Sequence, residues 1–287
     1  MCRKYIALTM LLAPTYPRLL PAQCSAPVER LISGRSFDRA RVQLETVLAR
    51  APADDRAMNC MGRLLIEEDR PAVAVEWLEK ALAISEKSAD HHLVLALALK
   101  ADGAHTSMLR APGLVRRMRS ELETAIALDP NVVESRFVLA QYYAQAPGFL
   151  GGNVAKARAQ AIELMRLSML RGQIVRGIIA EQAKDYATAE REYLAAIAAQ
   201  PDSDVAYGVA AGFYRRRERW ADAIAMSERQ VKSMPNDAPL ARVSTAHYSL
   251  GQACERAGDR QRARKEYEAA LKANPDNATA RKALGGL

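Results

Sequence analysis

Catalysis at neutral pH draws on a short list of side chains, and this chain places them sparsely. Its four histidines are His91, His92, His105 and His247. On a helix, neighbours such as His91 and His92 point about 100° apart, so they cannot grip one metal as histidines at i and i+4 do. His105 could approach them, but no cysteine or acid cluster completes a metal site. Each imidazole is expected to be satisfied within the fold or exposed. Cys60 and Cys254 have no recognisable histidine partner, and no Gly-x-Ser-x-Gly stretch offers an activated serine. Gly148-x-x-Gly151-Gly152 followed by Lys156 lacks the Gly-Lys-Ser/Thr ending of a phosphate loop. Basic residues are interleaved with acids and lack aromatic platforms, so nucleic acid is not an expected partner. No catalytic residue, cofactor or metal ligand is expected. The chemistry on offer is non-covalent binding.

Binding chemistry of this kind has to be positioned by helices. The chain of 287 residues is rich in Ala, Leu, Arg and Glu and poor in Phe and Gly, an all-helical composition. The organising stretch is Ser244 to Asn277. With Ser244 as position one, Leu250 and Gly251 fall at seven and eight, Ala263 at twenty, Tyr267 at twenty-four, Ala270 at twenty-seven and Pro275 at thirty-two. Gly251 and Ala263 are small where two antiparallel helices must approach closely. Tyr267 and Leu271 make an i,i+4 apolar stripe on the second helix. Gly258-Asp259 punctuates the turn and Pro275 stops the second helix. This spacing resembles the tetratricopeptide repeat, with a period of about 34 residues, although His247 and Cys254 stand where the consensus has aromatics.

Laid back along the chain, the template predicts an all-α, tetratricopeptide-type solenoid over residues 28–287. It has about seven helix–turn–helix units and a short capping helix over Ala278 to Leu287. The first unit has Val28 to Ser33 as a shortened first helix, then Ala40, Leu44, Val47 and Pro52. The second has Met61-Gly62, Ala74, Leu78 and Ala81; the third Leu95-Ala96, Leu99 and Ala125; the fourth Leu139-Ala140 and Tyr143. The fifth has Gly177, Ala189, Tyr193, Ala196 and Pro201, and the sixth Ala211, Tyr214, Ala223 and Pro235. Two units are interrupted, by about ten residues within Asp102 to Pro112 and about five within Pro147 to Asn153. Ala238 to Val243 is expected to lengthen the following helix, with Pro239 near its start.

Residues 1–24 read differently. Arg3 and Lys4 precede an apolar stretch from Tyr5 to Ala13, then Pro14, Pro17 and Pro21, with no acid. This describes a secretory signal peptide, with Ala22-Gln23-Cys24 as the expected cleavage site and residues 25–287 as the solenoid. The expected location is therefore periplasmic or secreted, the alternative cytoplasmic. Removing the segment takes away three basic residues and no acid, lowering the formal charge from +8 to +5. Cys60 and Cys254 are then expected to be small buried residues, not a disulfide. No apolar run reaches the roughly 18 residues of a membrane-spanning helix.

The resemblance implies that first helices line an inner face on which peptides dock. Carried over to this sequence, that face holds Arg56, Asn59, Arg63 and Glu67, then Asp90, Leu93 and Leu97. The middle offers Phe137, Gln141, Arg171, Ile174 and Ile178, and the C-terminal part Tyr207, Arg215, Arg216, Tyr248 and Gln252. The set does not reproduce the Lys/Asn/Arg carboxylate clamp of chaperone-binding repeats. The run Arg215-Arg216-Arg217 with Arg219 is the densest basic cluster. Both interruptions fall between the first and second helices of adjacent units, which places them on one edge, where insertions often mark a binding face. Pro147-Gly148-Phe149-Leu150-Gly151-Gly152-Asn153 also resembles a PGxxGG-type loop of some bacterial repeat proteins. Phe149 and Leu150 are expected to tuck over the repeat junction, the alternative being presentation to a partner. The expected function is a non-enzymatic scaffold or assembly adaptor of a bacterial envelope with protein or peptide partners, self-association left open. The alternatives are a cytosolic scaffold and a non-catalytic subunit of a larger enzyme or secretion complex.

Overall fold

In a computed structural model, the described residues are 24–107 and 109–287; most of the expected leader lies outside them. Fifteen α-helices and one 3-10 turn run through the described residues, with no strand. Two compact units divide the chain after Lys184, residues 33–35 grouping with the second. The first unit carries α1 (Ala26–Ser33), α2 (Phe37–Arg50), α3 (Asp55–Glu67), α4 (Pro71–Ile84), α5 (Ala89–His105), α6 (Ala111–Leu128), α7 (Val133–Gln145), α8 (Val154–Leu167) and α9 (Met169–Gln182). The second carries α10 (Tyr186–Ala199), α11 (Asp204–Arg216), α12 (Trp220–Lys232), α13 (Leu240–Arg256), α14 (Arg260–Ala273) and α15 (Ala278–Gly285). In chain order these are seven consecutive pairs and a terminal helix, as the repeat template predicts.

The helices start where short polar side chains accept from the first free amides. Asp54 accepts from Ala57 N at 2.8 Å, Asn153 from Lys156 N at 2.9 Å and Asp259 from Arg262 N at 2.9 Å. The turn inside each regular pair has one left-handed residue: Arg35, Asp69, Lys184, Glu218 and Gly258, with φ of 55, 62, 62, 56 and 92°. In four of them the next amide reaches back to the carbonyl five residues earlier, as in Ser36 N to Leu31 O (2.8 Å) and Asp259 N to Cys254 O (2.9 Å). That is the Schellman closure, for which glycine is the unstrained choice. Only Gly258 announces it in the sequence.

Small residues sit where the pairs close. A Cβ on Gly62 would lie 2.5 Å from Leu78 Cγ, and one on Gly251 would lie 2.6 Å from the Tyr267 ring. Ala40, Ala74, Ala189, Ala223 and Ala263, one per regular pair, are wholly buried. The terminal helix does what an end helix must: Ala283, Leu284 and Leu287 cover Leu250, Cys254, Ala263 and Tyr267.

Three expectations are corrected. The first interruption is mainly helix: α5 and α6 have 17 and 18 residues, against 13 and 14 for α7 and α8. The extra residues prolong this hairpin by one turn, about 6 Å, because Asp102 to His105 contains nothing that stops a helix and Pro112 is well placed in a first turn. Cys60 is not a lone buried thiol: it forms a disulfide with Cys24, 36 residues away. Cleavage after Cys24 would remove half of that bond. Cys254 is buried and free, as expected. The third correction concerns Phe149 and is taken up with the loop that carries it.

Candidate functional site

The face built from α3, α5, α7 and α9 is closed more tightly than the repeat template suggests. Asn59, Leu93, Leu97, Phe137, Arg171, Ile174 and Ile178 are all buried, so this structure offers none of them to a partner. The reason is that first helices pack on one another as well as on their second helices, which buries both flanks. The polar members are used internally. Asn59 Nδ2 donates to His91 Nδ1 at 3.0 Å, and His91 Nε2–H donates to Asp55 Oδ2 at 3.0 Å. Ser85 and His91 together hold the Asp55 carboxyl below its ordinary range. Arg171 lies 4.2 Å over the Phe137 ring and 3.4 Å from the Glu134 carboxylate. Burial pushes Glu134 up against the pull of Arg171 and Lys100, and lowers Lys100 against that of Glu134. The desolvation cost of such a buried ionic group offsets much of its Coulombic attraction.

The histidines behave as satisfied imidazoles. His92 faces the Glu121 carboxylate at 2.6 Å and the Glu86 carbonyl at 2.9 Å; His247 Nδ1 lies 2.8 Å from Glu266 and His105 Nε2 3.0 Å from Asp69. Each ring nitrogen of His91 and His92 faces a protein group within hydrogen-bond distance, so neither ring is turned to an open coordination position. Among the described residues no group of three or more His, Cys, Asp or Glu is placed to hold a metal. None of their helices is long and apolar enough to cross a membrane.

What remains accessible lies at the ends of the first helices. Arg56 is exposed at the start of α3 and lines an open cleft of about 720 Å³ with Asp55, Ser85, Lys87, Ser88 and His91. Sequence reasoning found Arg56 but not Ser85 or Lys87, which sit on a turn and have no helical register to flag them. Arg63 is half-buried, donating to Glu29 Oε1 at 3.2 Å and to Cys24 Sγ at 3.4 Å. Nearby, both buried carboxylate oxygens of Asp90 lack a hydrogen-bond partner, and burial pushes this group up to about 6 despite Arg63. Gln141 is half-buried on α7.

In the second unit, Tyr248 is half-buried, packed 5.8 Å from Tyr267, and its hydroxyl accepts from Gln252 at 2.8 Å. Arg215 donates to the same Gln252 at 3.1 Å. The basic run is engaged by neighbours: Arg217 stacks 3.7 Å over Tyr186, and Arg219 bonds Glu190 and Asp222 at 2.9 and 2.7 Å. Arg216 is exposed.

The second interruption folds as a 3-10 turn, Gly148–Leu150, closed by Gly151 at φ 94°. Gly152 N donates to Pro147 O at 3.1 Å and Asn153 N to Tyr143 O at 2.8 Å, and a Cβ on Gly152 would sit 1.7 Å from the Ala146 carbonyl. The Tyr142 hydroxyl donates to the Leu150 carbonyl, and Arg119 of α6 lies against Gly151. Leu150 is accordingly half-buried. Phe149, expected to tuck in, instead points out at 81% exposure, because the backbone is folded back too tightly to carry its ring inward. The α5–α6 connection bears another such residue, Leu109, at 93% exposure, which periodicity could not single out.

A family model described as tetratricopeptide repeat matches residues 29–89 and 174–239, and a second of the same description matches 244–287. The intervening stretch holds the lengthened hairpin and the glycine-rich loop. Comparison with curated proteins finds no match. A tetratricopeptide repeat protein from Parabacteroides merdae is similar in structure at 14% identity, with 98% of both chains covered and a TM-score of 0.60. Yeast Tom70 is similar at 13% identity, with 97% of this chain and 61% of that one covered and a TM-score of 0.64. A chain of the APC/C hetero-tetramer Cut9–Hcn1 is similar at 14% identity, covering 89% and 47%, with a TM-score of 0.56. At such identities the likeness concerns the fold.

Proposed function

Because the chain belongs to the tetratricopeptide-repeat family, we propose that it is a protein-interaction scaffold, an assembly adaptor of a bacterial envelope, with no catalysis of its own. The observation that carries the binding reading is the cleft at the starts of α3 and α5. At about 720 Å³ it is the size of a short peptide segment, and its lining of Arg56, Lys87, Ser85, Ser88 and Asp55 suits a peptide's amides and charged ends. Most of the remaining first-helix face is packed shut, so the partner is read at helix ends and not along a continuous groove. In the second unit Tyr248 and Arg216 are the accessible counterparts.

Two features support the envelope. One is the leader-like start, Arg3-Lys4 followed by Tyr5 to Ala13. The other is the Cys24–Cys60 disulfide, a bond that persists in oxidising compartments and is rare in reducing ones. On this reading the leader ends before Cys24, with Ala22 as the small residue ahead of the cut; the Cys24–Cys60 bond supports that boundary.

A photo-crosslinking residue at Arg56, compared with one at exposed Glu76 on α4, tests the cleft in the native cell. Protein adducts are expected from position 56 and not from 76; equal labelling from both sites refutes the reading. Mass spectrometry of the native protein tests location separately. A first residue at 23 or 24 is expected, and an intact Met1 in a reducing compartment refutes export.

A further inference from the structure

We propose that the edge formed by the α5–α6 connection and the 147–153 loop rests on the anionic headgroup surface of a lipid bilayer. This inference goes beyond the peptide cleft and does not depend on it. Both elements belong to the first unit and to neighbouring helix pairs. The α5–α6 hairpin overhangs its neighbour by one turn, and the 3-10 turn fills the step, held through Arg119 and Tyr142. Both interruptions thus border one helix, α6.

The tips of this rim are apolar and nothing among the described residues covers them. Leu109 is 93% exposed, Phe149 81%, and Val154 at the start of α8 49%. They project outward and do not line a groove, so a protein partner would need a matching pocket for each, whereas the interfacial layer of a bilayer accepts projecting apolar groups without one.

Charge points the same way. No acid occurs between Gly103 and Ser120 or between Ser135 and Ile162. The first stretch carries Arg110, Arg116, Arg117 and Arg119, the second Arg136, Lys156 and Arg158. Arg117 and Arg119 have carboxylate partners and Arg136 is buried, but Arg110, Arg116 and Arg158 are exposed with no ion pair among the described residues. Lys156 lies over the Tyr143 ring at 5.3 Å. On the neighbouring turn, Asp69 faces His105 and Glu68 faces Arg41 and Arg70. An unpaired arginine at the start of a helix opposes its dipole, so helix stability does not account for Arg110, the residue that precedes α6. Apolar tips inside a collar of unmatched cations complement lipid phosphate at an interface, and basic groups there act over about a Debye length.

The test is hydrogen exchange by mass spectrometry on the full chain, with vesicles of phosphatidylglycerol and phosphatidylcholine or of phosphatidylcholine alone. Exchange is expected to slow at least threefold in peptides covering the α5–α6 connection and residues 146–154, with the anionic vesicles only. It should return to the free rate in 0.5 M salt. The variant R110E/R116E/R158E should weaken the anionic-vesicle effect about tenfold or more, and L109S/F149S should weaken it several-fold, both with unchanged helical circular dichroism and Tm. Because the readout is local, membrane binding through residues 1–23 does not mimic it. Protection elsewhere but not on this rim overturns the proposal, as does equal protection by neutral vesicles or none by either. The last outcome would leave the rim to a protein surface.

Discussion

The Cys24–Cys60 disulfide makes the sharpest demand on this fold. α1 has eight residues and buries little beyond Val28 and Ile32. A helix so short is unstable alone, since nucleation is costly and few bonds repay it. The bond closes a loop of 36 residues in sequence, for which the chain-entropy relation gives about 4 kcal/mol, and measured native disulfides fall at about 2–5 kcal/mol. Arg63, donating to Cys24 Sγ and Glu29, adds a smaller tie to the same corner. In a repeat protein the loss stays near its origin, because stability is a sum of nearest-neighbour terms. Cys60→Ala is therefore expected to speed amide exchange in α1 and α2 by about thirty-fold or more, the factor that corresponds to about 2 kcal/mol. α13 and α14 should be unchanged. Reduction of the wild-type chain should reproduce the pattern. Equal exchange in α1 with and without the bond would refute the claim that this disulfide holds the first pair. An equal rise in α14 would refute the locality.

Asp90 gives a pH-dependent expectation. Burial raises its folded-state value to about 6, above the ordinary carboxylate, so folding takes up a proton between about pH 4 and 6. Stability from this group falls as pH rises through that window and is flat above it. Asp90→Asn should therefore stabilise the first unit by about 1–2 kcal/mol at pH 8 and by almost nothing at pH 4, read by urea unfolding; the opposite trend would show that the carboxylate is paired. The turn at Glu218, at φ 56°, predicts that Glu218→Gly raises stability by about 0.5–1 kcal/mol by relieving a left-handed conformation. A fall in Tm would mean that the Glu218 side chain contributes more than its backbone costs.

The architecture was legible because a solenoid repeats one local solution. Gly251 beneath Tyr267, and Gly62 beneath Leu78, mark the same close approach at the same offset, so the register could be read unit by unit. The four turns closed by Arg35, Asp69, Lys184 and Glu218 were placed by that register and not by their residue types, which give no hint of positive φ. Of the candidate site, Arg56 and Arg216 were found where they are accessible. Asn59, Phe137, Arg171 and Ile174 were not, because the helical offset that turns a residue towards the inner face does not say whether the next first helix already covers it.

By itself the amino-acid sequence determined the all-helical class, seven pairs with a terminal helix, and the two places where the period breaks. These depend on spacing along one chain, and helix geometry converts spacing into faces without further information. Only the tertiary structure decided that Cys24 meets Cys60, that one interruption becomes a longer hairpin, and that Phe149 and Leu109 point outward beside unpaired arginines. The meeting of Cys24 with Cys60 and the surroundings of Leu109 and Phe149 depend on which groups lie next to one another across the gap between helices. That distance is set by packing of side chains far apart in sequence, and no local pattern encodes it.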